Sequence, residues 1–402
     1  MSEARATVAI IGAGTMGAGI AQVALEAGWA VALFDPLADA TERARVRIYD
    51  GLLRRASRLE ADADAMQNWA TGRIARLGIA GSAAKAAADA HLVIEAVIED
   101  LDTKQRLLGE LDHAAPPSTV LGTNTSALSV SRIAEGARVA PERVVGMHFF
   151  NPAPRLDLVE IVAGSASADW AVERAAAIAD DWGKTPIRSA DSPGFIVNRV
   201  NRPFTLEPLR LLRAGAGTIV AIDGALTAAG FPMGPFALMD LIGLDVNLAA
   251  AQGLFEGFRR AARFRPSPIQ EELVAAGSLG RKAGRGFYRY EQGRALGPAS
   301  RFERPERGVP GTHPLDPEAI AERVILAVVN EAYRALGDRV ATADDIDRAM
   351  QLGAGHPFGP FEWAHRTGIE EVAMSLDAMS DEDADTFRPA LALLREARRT
   401  RG

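Results

Sequence analysis

The sequence predicts an α/β domain with a mostly parallel sheet, followed by two all-α helical domains. Short apolar runs alternate with helical patterns through the first half, which is the signature of βαβ units with helices on both faces of a parallel sheet. From Phe195 onward, helical periodicity dominates and strand signals almost vanish. Two helical blocks in this second half share a repeated segment. A length of 402 residues accommodates two or three domains.

The α/β part contains a regular series of candidate elements. The predicted strands are Val8–Ile11, Ala30–Phe34, His91–Val97, Val120–Thr123, Val144–His148 and Leu158–Val162. The predicted helices are Met16–Ala27, Asp39–Glu60 and Thr103–Leu111. The character of the sequence changes near Thr185, and we therefore assign residues 1–187 to this domain.

The helical half contains an internal repeat. Ile222-Asp223, followed by AGFPMGPFALMDLIGLD, is echoed by Ile346-Asp347, followed by GAGHPFGPFEWAHRTGIE. Such self-similarity indicates a duplicated unit, although a chance match of two turns is the alternative. We assign residues 188–293 and 316–402 to the two helical copies, and the Gly- and Pro-containing residues 294–315 to a linker.

Composition narrows the functional class. The formal charge of -7 gives no basic surface for nucleic acid. The sequence has no cysteine, which excludes thiolate chemistry, cysteine zinc sites and disulfides, and we expect no metal. No apolar run reaches the roughly 18 residues that a membrane span needs, and the polar N-terminal residues do not resemble a signal peptide. We therefore expect a cytoplasmic protein without membrane partners.

A glycine turn lies between the first strand and the first helix. Gly12, Gly14 and Gly17 fit the G-x-G-x-x-G pattern of a dinucleotide-binding, Rossmann-type domain. The pyrophosphate of the dinucleotide binds at the N-terminus of the following helix, at Thr15 and Met16. Asp35 ends the second strand, where a carboxylate accepts the ribose hydroxyls and repels a 2′-phosphate, so NAD is favoured over NADP. A different nucleotide or a structural turn is the alternative for the glycines, and a helix cap for Asp35.

Two polar residues stand out in later strands. His148 ends one strand in GMHFFNP, and Glu160 lies in the apolar strand LDLVEIV. A neutral histidine can take a hydroxyl proton while hydride leaves the carbon, and a carboxylate on its second nitrogen stabilises the imidazolium. A core histidine and a solvent-facing glutamate are the alternatives, and spacing alone leaves both open.

Small polar residues complete the candidate site. Asn124, Thr125 and Ser126 follow a strand at the sheet edge where ligands bind, with a helix cap as the alternative. Asn198 in DSPGFIVNR begins the helical part, and an ordinary polar helix residue is its alternative.

Together the motifs GAGTMGAGIA, VIEAVIEDLDTK, NTSAL, HFFNPAP, LVEIV, SPGFIVNR, FPMGPF and GRKAGRGFYRY resemble the 3-hydroxyacyl-CoA dehydrogenase family. The resemblance covers residues 7 to about 290 in order. The second helical copy looks like the tandem C-terminal domain of longer bacterial members.

The resemblance implies roles for matching residues. His148 is then the general base and Glu160 its orienting partner, while Ser126 and Asn198 hydrogen-bond the reacting oxygen or position His148. Further positions implied to line the NAD site are Ala96, Glu99, Lys104, Asn124 and Asn151. The sequence departs from the family at Ala127, where a second serine is common, and at a Lys-rich helix where it has Arg54, Arg55 and Arg58. We expect Arg54 and Arg55 to bind the CoA phosphates, with a solvated helix face as the alternative.

The implied activity is reversible, NAD-dependent oxidation of (S)-3-hydroxyacyl-CoA to 3-ketoacyl-CoA in fatty-acid or aromatic-catabolite β-oxidation. A short-chain substrate such as 3-hydroxybutyryl-CoA is one candidate. The alternatives are an NAD-dependent dehydrogenase of a non-CoA 3-hydroxy acid and a non-catalytic NAD-binding scaffold. We expect either a monomer whose two helical copies pack as a pseudo-dimer or a homodimer, and hydratases and thiolases are candidate partners.

Overall fold

The computed structural model describes residues 6–59, 62–302 and 313–400. The chain forms two compact units, Met1–Phe195 and Ile196–Gly402. Each unit has its own secondary-structure class, and the order of classes agrees with the predicted α/β domain followed by helical domains.

The first unit is built on an eight-stranded sheet. Its strands are β1 Thr7–Ile11, β2 Ala30–Phe34, β3 Leu77–Ile79, β4 Leu92–Glu95, β5 Val120–Thr123, β6 Val144–Phe149, β7 Leu158–Ala163 and β8 Thr185–Ala190. The order is β3-β2-β1-β4-β5-β6-β7-β8, in which the first six pair in parallel, β7 runs antiparallel to β6, and β8 is parallel to β7. The chain reverses its direction of travel across the sheet between β1 and β4, which is where open α/β sheets bind ligands.

Helices cover both faces of this sheet. They are α1 Thr15–Glu26, α2 Ala38–Ala56, α3 Ala63–Ile74, α4 Ala83–Ala87, α5 Leu101–Ala114, α6 Val130–Ala134 and α7 Asp169–Asp181. Val8 and Ile10 of β1 pack into one hydrophobic core, and Ala9 and Ile11 pack into the other. Alternate residues of a strand point to opposite faces, so a run that is apolar at every position specifies a strand buried on both sides.

Three differences from the predicted elements have local causes. Helix α2 ends at Ala56, before the predicted Glu60, which lies outside the described residues. Strands β3 and β8 were not predicted, because edge strands bury few side chains: only Ile187 and Ser189 are buried in β8. The sheet consequently continues to Ala190, past the change of character at Thr185.

The second unit is mainly helical. Its helices are α8 Val197–Val200, α9 Arg202–Ala214, α10 Ile219–Ala228, α11 Pro235–Ile242, α12 Leu244–Gly257, α13 Pro268–Ala275, α14 Pro317–Gly337, α15 Ala343–Ala354, α16 Pro360–Thr367, α17 Ile369–Ser380, α18 Ala384–Phe387 and α19 Leu391–Thr400. An antiparallel hairpin of β9 Tyr288–Glu291 and β10 Arg294–Pro298 interrupts them. Strand β10 occupies the first residues of the predicted linker 294–315, whose assignment stays a prediction. The hydroxyl of Tyr290 in β9 donates to the buried Asp240 and anchors this hairpin to the first copy.

The repeat in the sequence is a repeat in the structure. Asp223 accepts hydrogen bonds from the first amide groups of α11, and Asp347 accepts the same bonds at α16. A Cβ on Gly234 would lie 2.4 Å from Asp223, and one on Gly359 would lie 2.1 Å from the carboxyl carbon of Asp347. The shared Gly-Pro-Phe segment thus encodes a helix start closed over an aspartate, which is buried in the first copy and half-buried in the second. Helices α10–α12 correspond to α15–α17.

Among the described residues, no single helix is both long and apolar enough to cross a membrane, and by length and composition alone one sharply bent helix pair, α11 with α12, could do so.

Candidate active site

The glycine turn joins β1 to α1 in a close-packed conformation. Gly12 has φ +107°, and a Cβ there would lie 2.5 Å from the carbonyl oxygen of Ala96. A Cβ on Gly17 would lie 1.9 Å from the carbonyl oxygen of Gly12. Gly14 differs, because a Cβ there would meet no atom within 4 Å. Two glycines are therefore required by the fold, and the third borders open space where a ligand can approach the backbone.

The N-terminus of α1 has the properties of an anion site. Gly14 is the N-cap residue of α1. Since glycine has no side chain, it makes no capping hydrogen bond to the first amides of the helix, which begins with Thr15 and Met16. Free amides and the positive end of the helix dipole attract phosphate. Asp35 lies beside this turn: its Oδ2 accepts a hydrogen bond from the Ala13 amide at 2.8 Å. The residues fit a dinucleotide, with the pyrophosphate at α1 and the adenosine ribose at Asp35.

His148 and Glu160 form the predicted pair. They face each other across the antiparallel pairing of β6 and β7, and His148 Nδ1 lies 2.6 Å from Glu160 Oε2. Both side chains are buried, with exposed fractions of 6% and 0%. The imidazole also packs against the rings of Phe150 and Phe195. Glu160 is thus not a solvent-facing strand residue, and the carboxylate holds one ring nitrogen of His148 while the other can serve as a base.

Asn124 connects the neighbouring strand to this pair. Its side-chain Oδ1 accepts a hydrogen bond from the Phe149 amide at 2.9 Å, next to His148. The main-chain amide of Asn124 donates to the carbonyl oxygen of Glu95 at 2.8 Å. Asn124 therefore ties the ends of β4, β5 and β6 together, and its predicted contact with the nicotinamide stays a prediction.

Glu99 organises the turn that contains Ser126. Its Oε1 accepts hydrogen bonds from the Thr125 hydroxyl at 2.5 Å and from the Ser126 and Ala127 amides at 2.9 and 3.1 Å. Burial alone would raise the pKa of Glu99, but the Lys104 ammonium and these hydrogen bonds lower it below its usual value. The turn does not cap α6, whose N-cap is Ser129. An ionised Glu99 therefore fixes the backbone that presents Ser126.

Lys104 supports Glu99 from the interior. Its side chain is fully buried, and its ammonium lies 2.7 Å from Glu95 and 3.3 Å from Glu99. Glu95 also accepts a hydrogen bond from the Thr123 hydroxyl at 2.7 Å. A buried ammonium needs a paired carboxylate, because an unpaired charge away from water is strongly destabilising. The structure thus gives Lys104 a supporting position, and a direct contact with the cofactor stays a prediction.

A basic cavity of about 420 Å³ opens between α1, α2 and the loop after β6. Its basic lining residues are Arg47, Arg54, Arg55, Arg58 and Arg155. Asn151 and Thr15 lie in the same lining, so the cavity adjoins the N-terminus of α1. Arg55 lies 3.7 Å from Glu26, whose pKa is raised by burial. The excess of positive charge suits a ligand that carries several phosphates.

The structure brings together most of the predicted site at the carboxyl ends of the parallel strands. Asn198 belongs to the second unit, on α8, and its catalytic role stays a prediction. No cluster of His, Asp or Glu residues suited to a metal ion occurs in the described part of the chain. The closing loop Gly280–Gly286 is structural, because the amides that follow it donate to Asp240.

Sequence reasoning missed Glu95, Arg47 and Arg155. Glu95 ends the apolar strand LVIE, and a carboxylate in such a run could have signalled a buried partner. The two arginines had no local signal, because they join the cavity only through the packing of α2 and the loop after β6.

Comparison with known proteins agrees with this geometry. The family model of the 3-hydroxyacyl-CoA dehydrogenase NAD binding domain matches residues 7–192, and that of the C-terminal domain matches residues 194–290 and 320–400. A protein of Escherichia coli K12 named 3-hydroxyadipyl-CoA dehydrogenase is 35% identical over 97% of this chain and 97% of its own length. A Bacillus subtilis protein named probable 3-hydroxybutyryl-CoA dehydrogenase is 37% identical over 71% of this chain and 97% of its own length.

A solved structure extends the agreement to the whole chain. The crystal structure of 3-hydroxybutyryl-CoA dehydrogenase from Escherichia coli K12 has a TM-score of 0.85 and 35% identity, and covers 98% of each chain. The matches include the NAD-binding domain and both helical copies, so the chain is an NAD-dependent oxidoreductase and belongs to the 3-hydroxyacyl-CoA dehydrogenase family.

Proposed function

We propose that this chain oxidises (S)-3-hydroxyacyl-CoA thioesters to 3-ketoacyl-CoA, with NAD as hydride acceptor, and that His148 is the general base. The observation that carries this proposal is the buried pair of His148 and Glu160, 2.6 Å apart, on strands of the same sheet whose first strand ends in the glycine turn. This arrangement combines a base, an orienting carboxylate and a dinucleotide site in one domain.

The chemistry follows from the two ring nitrogens of His148. Glu160 accepts a hydrogen bond from Nδ1–H, which leaves Nε2 as the nitrogen that takes the proton of the 3-hydroxyl. As the O–H bond breaks, the electron pair on oxygen forms the carbonyl, and the hydrogen on C3 leaves as hydride. A bound nicotinamide ring supplies the acceptor for that hydride. Glu160 stabilises the positive charge that the imidazole gains, and Ser126 and Asn198 are proposed to hydrogen-bond the reacting oxygen.

We propose that the arginines of α2 bind the phosphates of CoA. Arg54, Arg55 and Arg58 share one cavity with Arg47 and Arg155, and several guanidinium groups can pair with phosphate oxygens. A non-CoA hydroxy acid would leave this charge without a function. Inhibition by free CoA therefore discriminates the thioester substrate from the hydroxy-acid alternative.

The first test follows NADH consumption with acetoacetyl-CoA, with free acetoacetate as the control. Turnover of the thioester alone, lost in His148→Gln, is the expected result. A scaffold without activity would bind NADH and turn over neither compound. The acyl chain is then compared across butyryl, longer and dicarboxylic thioesters, since relatives are named for both 3-hydroxybutyryl-CoA and 3-hydroxyadipyl-CoA.

We infer further that one chain supplies its own dimer-like packing. Two ion pairs at equivalent positions of the repeat join the helical copies: Arg199 lies 2.8 Å from Glu331, and Arg323 lies 2.7 Å from Glu207. Arg323 of the second copy occupies the position equivalent to Arg199 of the first, and Glu331 occupies the position equivalent to Glu207. Each copy therefore makes the same contact with the other. This reciprocity is typical of a two-fold interface between subunits.

Light scattering tests the pseudo-dimer. A monomer at low concentration is expected, and a tight dimer would contradict the inference.

Hydratases, which form a 3-hydroxyacyl thioester, and thiolases, which consume the 3-keto product, stay candidate partners. The cysteine-free composition fits the predicted cytoplasmic location.

A further inference from the structure

Helix α8 carries Asn198 and is only one turn long, Val197–Val200. A single turn is not stable by itself, because helix nucleation fixes several residues for one hydrogen bond. Asn201 follows immediately, and α9 then begins at Arg202 as a separate helix. Tertiary contacts of the residues on and around α8 therefore contribute to the position of Asn198.

The second helical copy holds α8 at two points. Arg199 Nε lies 2.8 Å from Glu331, and its Nη2 lies 2.6 Å from Asp338. Asn201 Oδ1 lies 2.8 Å from His356 Nε2. Arg199 and Glu331 are almost completely buried, and His356 is 7% exposed. Buried polar contacts of this kind restrict geometry strongly, because their loss leaves unpaired groups away from water.

His356 is suited to a fixed hydrogen bond. Its ring packs between Phe204 and Phe231, at centroid distances of 5.5 and 4.9 Å. Burial lowers its pKa to about 3, so the imidazole is neutral at physiological pH. The Nε2–H form then donates to the amide oxygen of Asn201. Phe231 occupies the position in the first copy that is equivalent to His356 in the second. Of these two positions, only the one in the second copy, which contacts Asn201 after α8, has a polar ring.

The second copy is charged at two exposed positions where the first copy is apolar. Val220 and Leu241 are exposed in the first copy, with fractions of 54% and 47%. The equivalent residues of the second copy are Asp344 and Arg366, which are charged and exposed. The two copies thus differ at these two exposed positions, while His356 and Glu331 of the second copy contact Asn201 and Arg199.

We propose that the second helical copy positions Asn198 for the reaction, through His356 on Asn201 and Glu331 on Arg199. This inference rests on the proposed function of Asn198. His356 and Glu331 are positioning residues, since they act through α8 and not on the substrate. The duplication then has a catalytic consequence besides packing.

The test compares His356→Phe with His356→Gln. Phenylalanine occupies the equivalent position of the first copy, and here it removes the hydrogen bond while an aromatic ring is kept. The Gln side-chain amide can replace the Nε2–H donor. We expect His356→Phe to lower kcat on the order of tenfold, with an unchanged Kd for NADH by fluorescence, and His356→Gln to recover most of it. In an Asn198→Ala background, His356→Phe should cause no further loss, because both changes act on one contact.

A matched pair of variants separates positioning from stability. Arg199→Met and Arg323→Met each break one of the two equivalent ion pairs, and only the first touches α8. Both should lower Tm. Only Arg199→Met should lower kcat and speed amide hydrogen exchange in residues 197–200.

The outcomes are distinguishable. Equal losses of kcat from His356→Phe with and without Asn198 would overturn the positioning role. A wild-type protein that turns over no 3-hydroxyacyl thioester would overturn the proposed function instead. In that case amide hydrogen exchange still tests whether the second copy holds α8 in place. Faster exchange of α8 in His356→Phe supports this role, and unchanged exchange refutes it.

Discussion

Replacing Glu160 by Gln should slow the reaction about a thousandfold. The carboxylate is fully buried and lies 2.6 Å from His148 Nδ1, so the imidazolium formed during oxidation has a close, poorly screened counter-charge. Unit charges about 4 Å apart attract each other by about 4 kcal/mol at an effective dielectric constant of about 20. The neutral imidazole of the ground state gains almost none of this energy. At about 1.4 kcal/mol per tenfold in rate, its loss corresponds to about 10³ in kcat.

The assay measures kcat and KM for the oxidation of (S)-3-hydroxybutyryl-CoA with NAD, the Kd for NADH and Tm. NADH binding should not change, because the glycine turn and Asp35 are intact. Asp112→Asn is a matched control, since Asp112 is another buried carboxylate of the first unit, paired with Arg143 at 3.0 Å. It should lower Tm with little effect on kcat. A folded Glu160→Gln variant within threefold of the wild-type kcat would refute the assigned role.

Three further perturbations test the cofactor site, the substrate site and the repeat. Asp35→Ala should raise KM for NAD at least tenfold and reduce discrimination against NADP, measured with both cofactors. Removing Arg54 and Arg58 together should raise KM for acetoacetyl-CoA but not for a pantetheine thioester that lacks the adenosine phosphates, and this difference should shrink at high salt. Gly359→Ala should destabilise the second unit by about 1–3 kcal/mol, because its Cβ would collide with the half-buried Asp347 that caps α16. Gly224→Ala is the control in urea unfolding, since its Cβ meets nothing within 4 Å.

Local chemistry made part of the site predictable. Gly17 is required by a backbone clash with Gly12 inside the turn itself, and Asp35 follows at the end of the next strand. His148 and Glu160 could be proposed as a pair because each lies in an apolar strand, where a polar side chain needs a partner. The sequence left their alternatives open, since strand pairing is a non-local contact.

The sequence alone determined the order of fold classes and the dinucleotide turn, because each depends on periodicity or on spacing within a few tens of residues. It also determined the duplication, because the same segment recurs in both helical blocks. Only the tertiary structure decided that Glu160 is buried against His148, that Lys104 supports Glu99 from the interior, and that a hairpin begins the predicted linker. It also decided that Arg199 pairs with Glu331, 132 positions away along the chain. The physical reason is that burial and charge pairing depend on which segments meet in space. His148 and Glu160 meet through strand pairing, and Arg199 and Glu331 meet through the packing of the two helical copies, so spacing along the chain does not specify either contact.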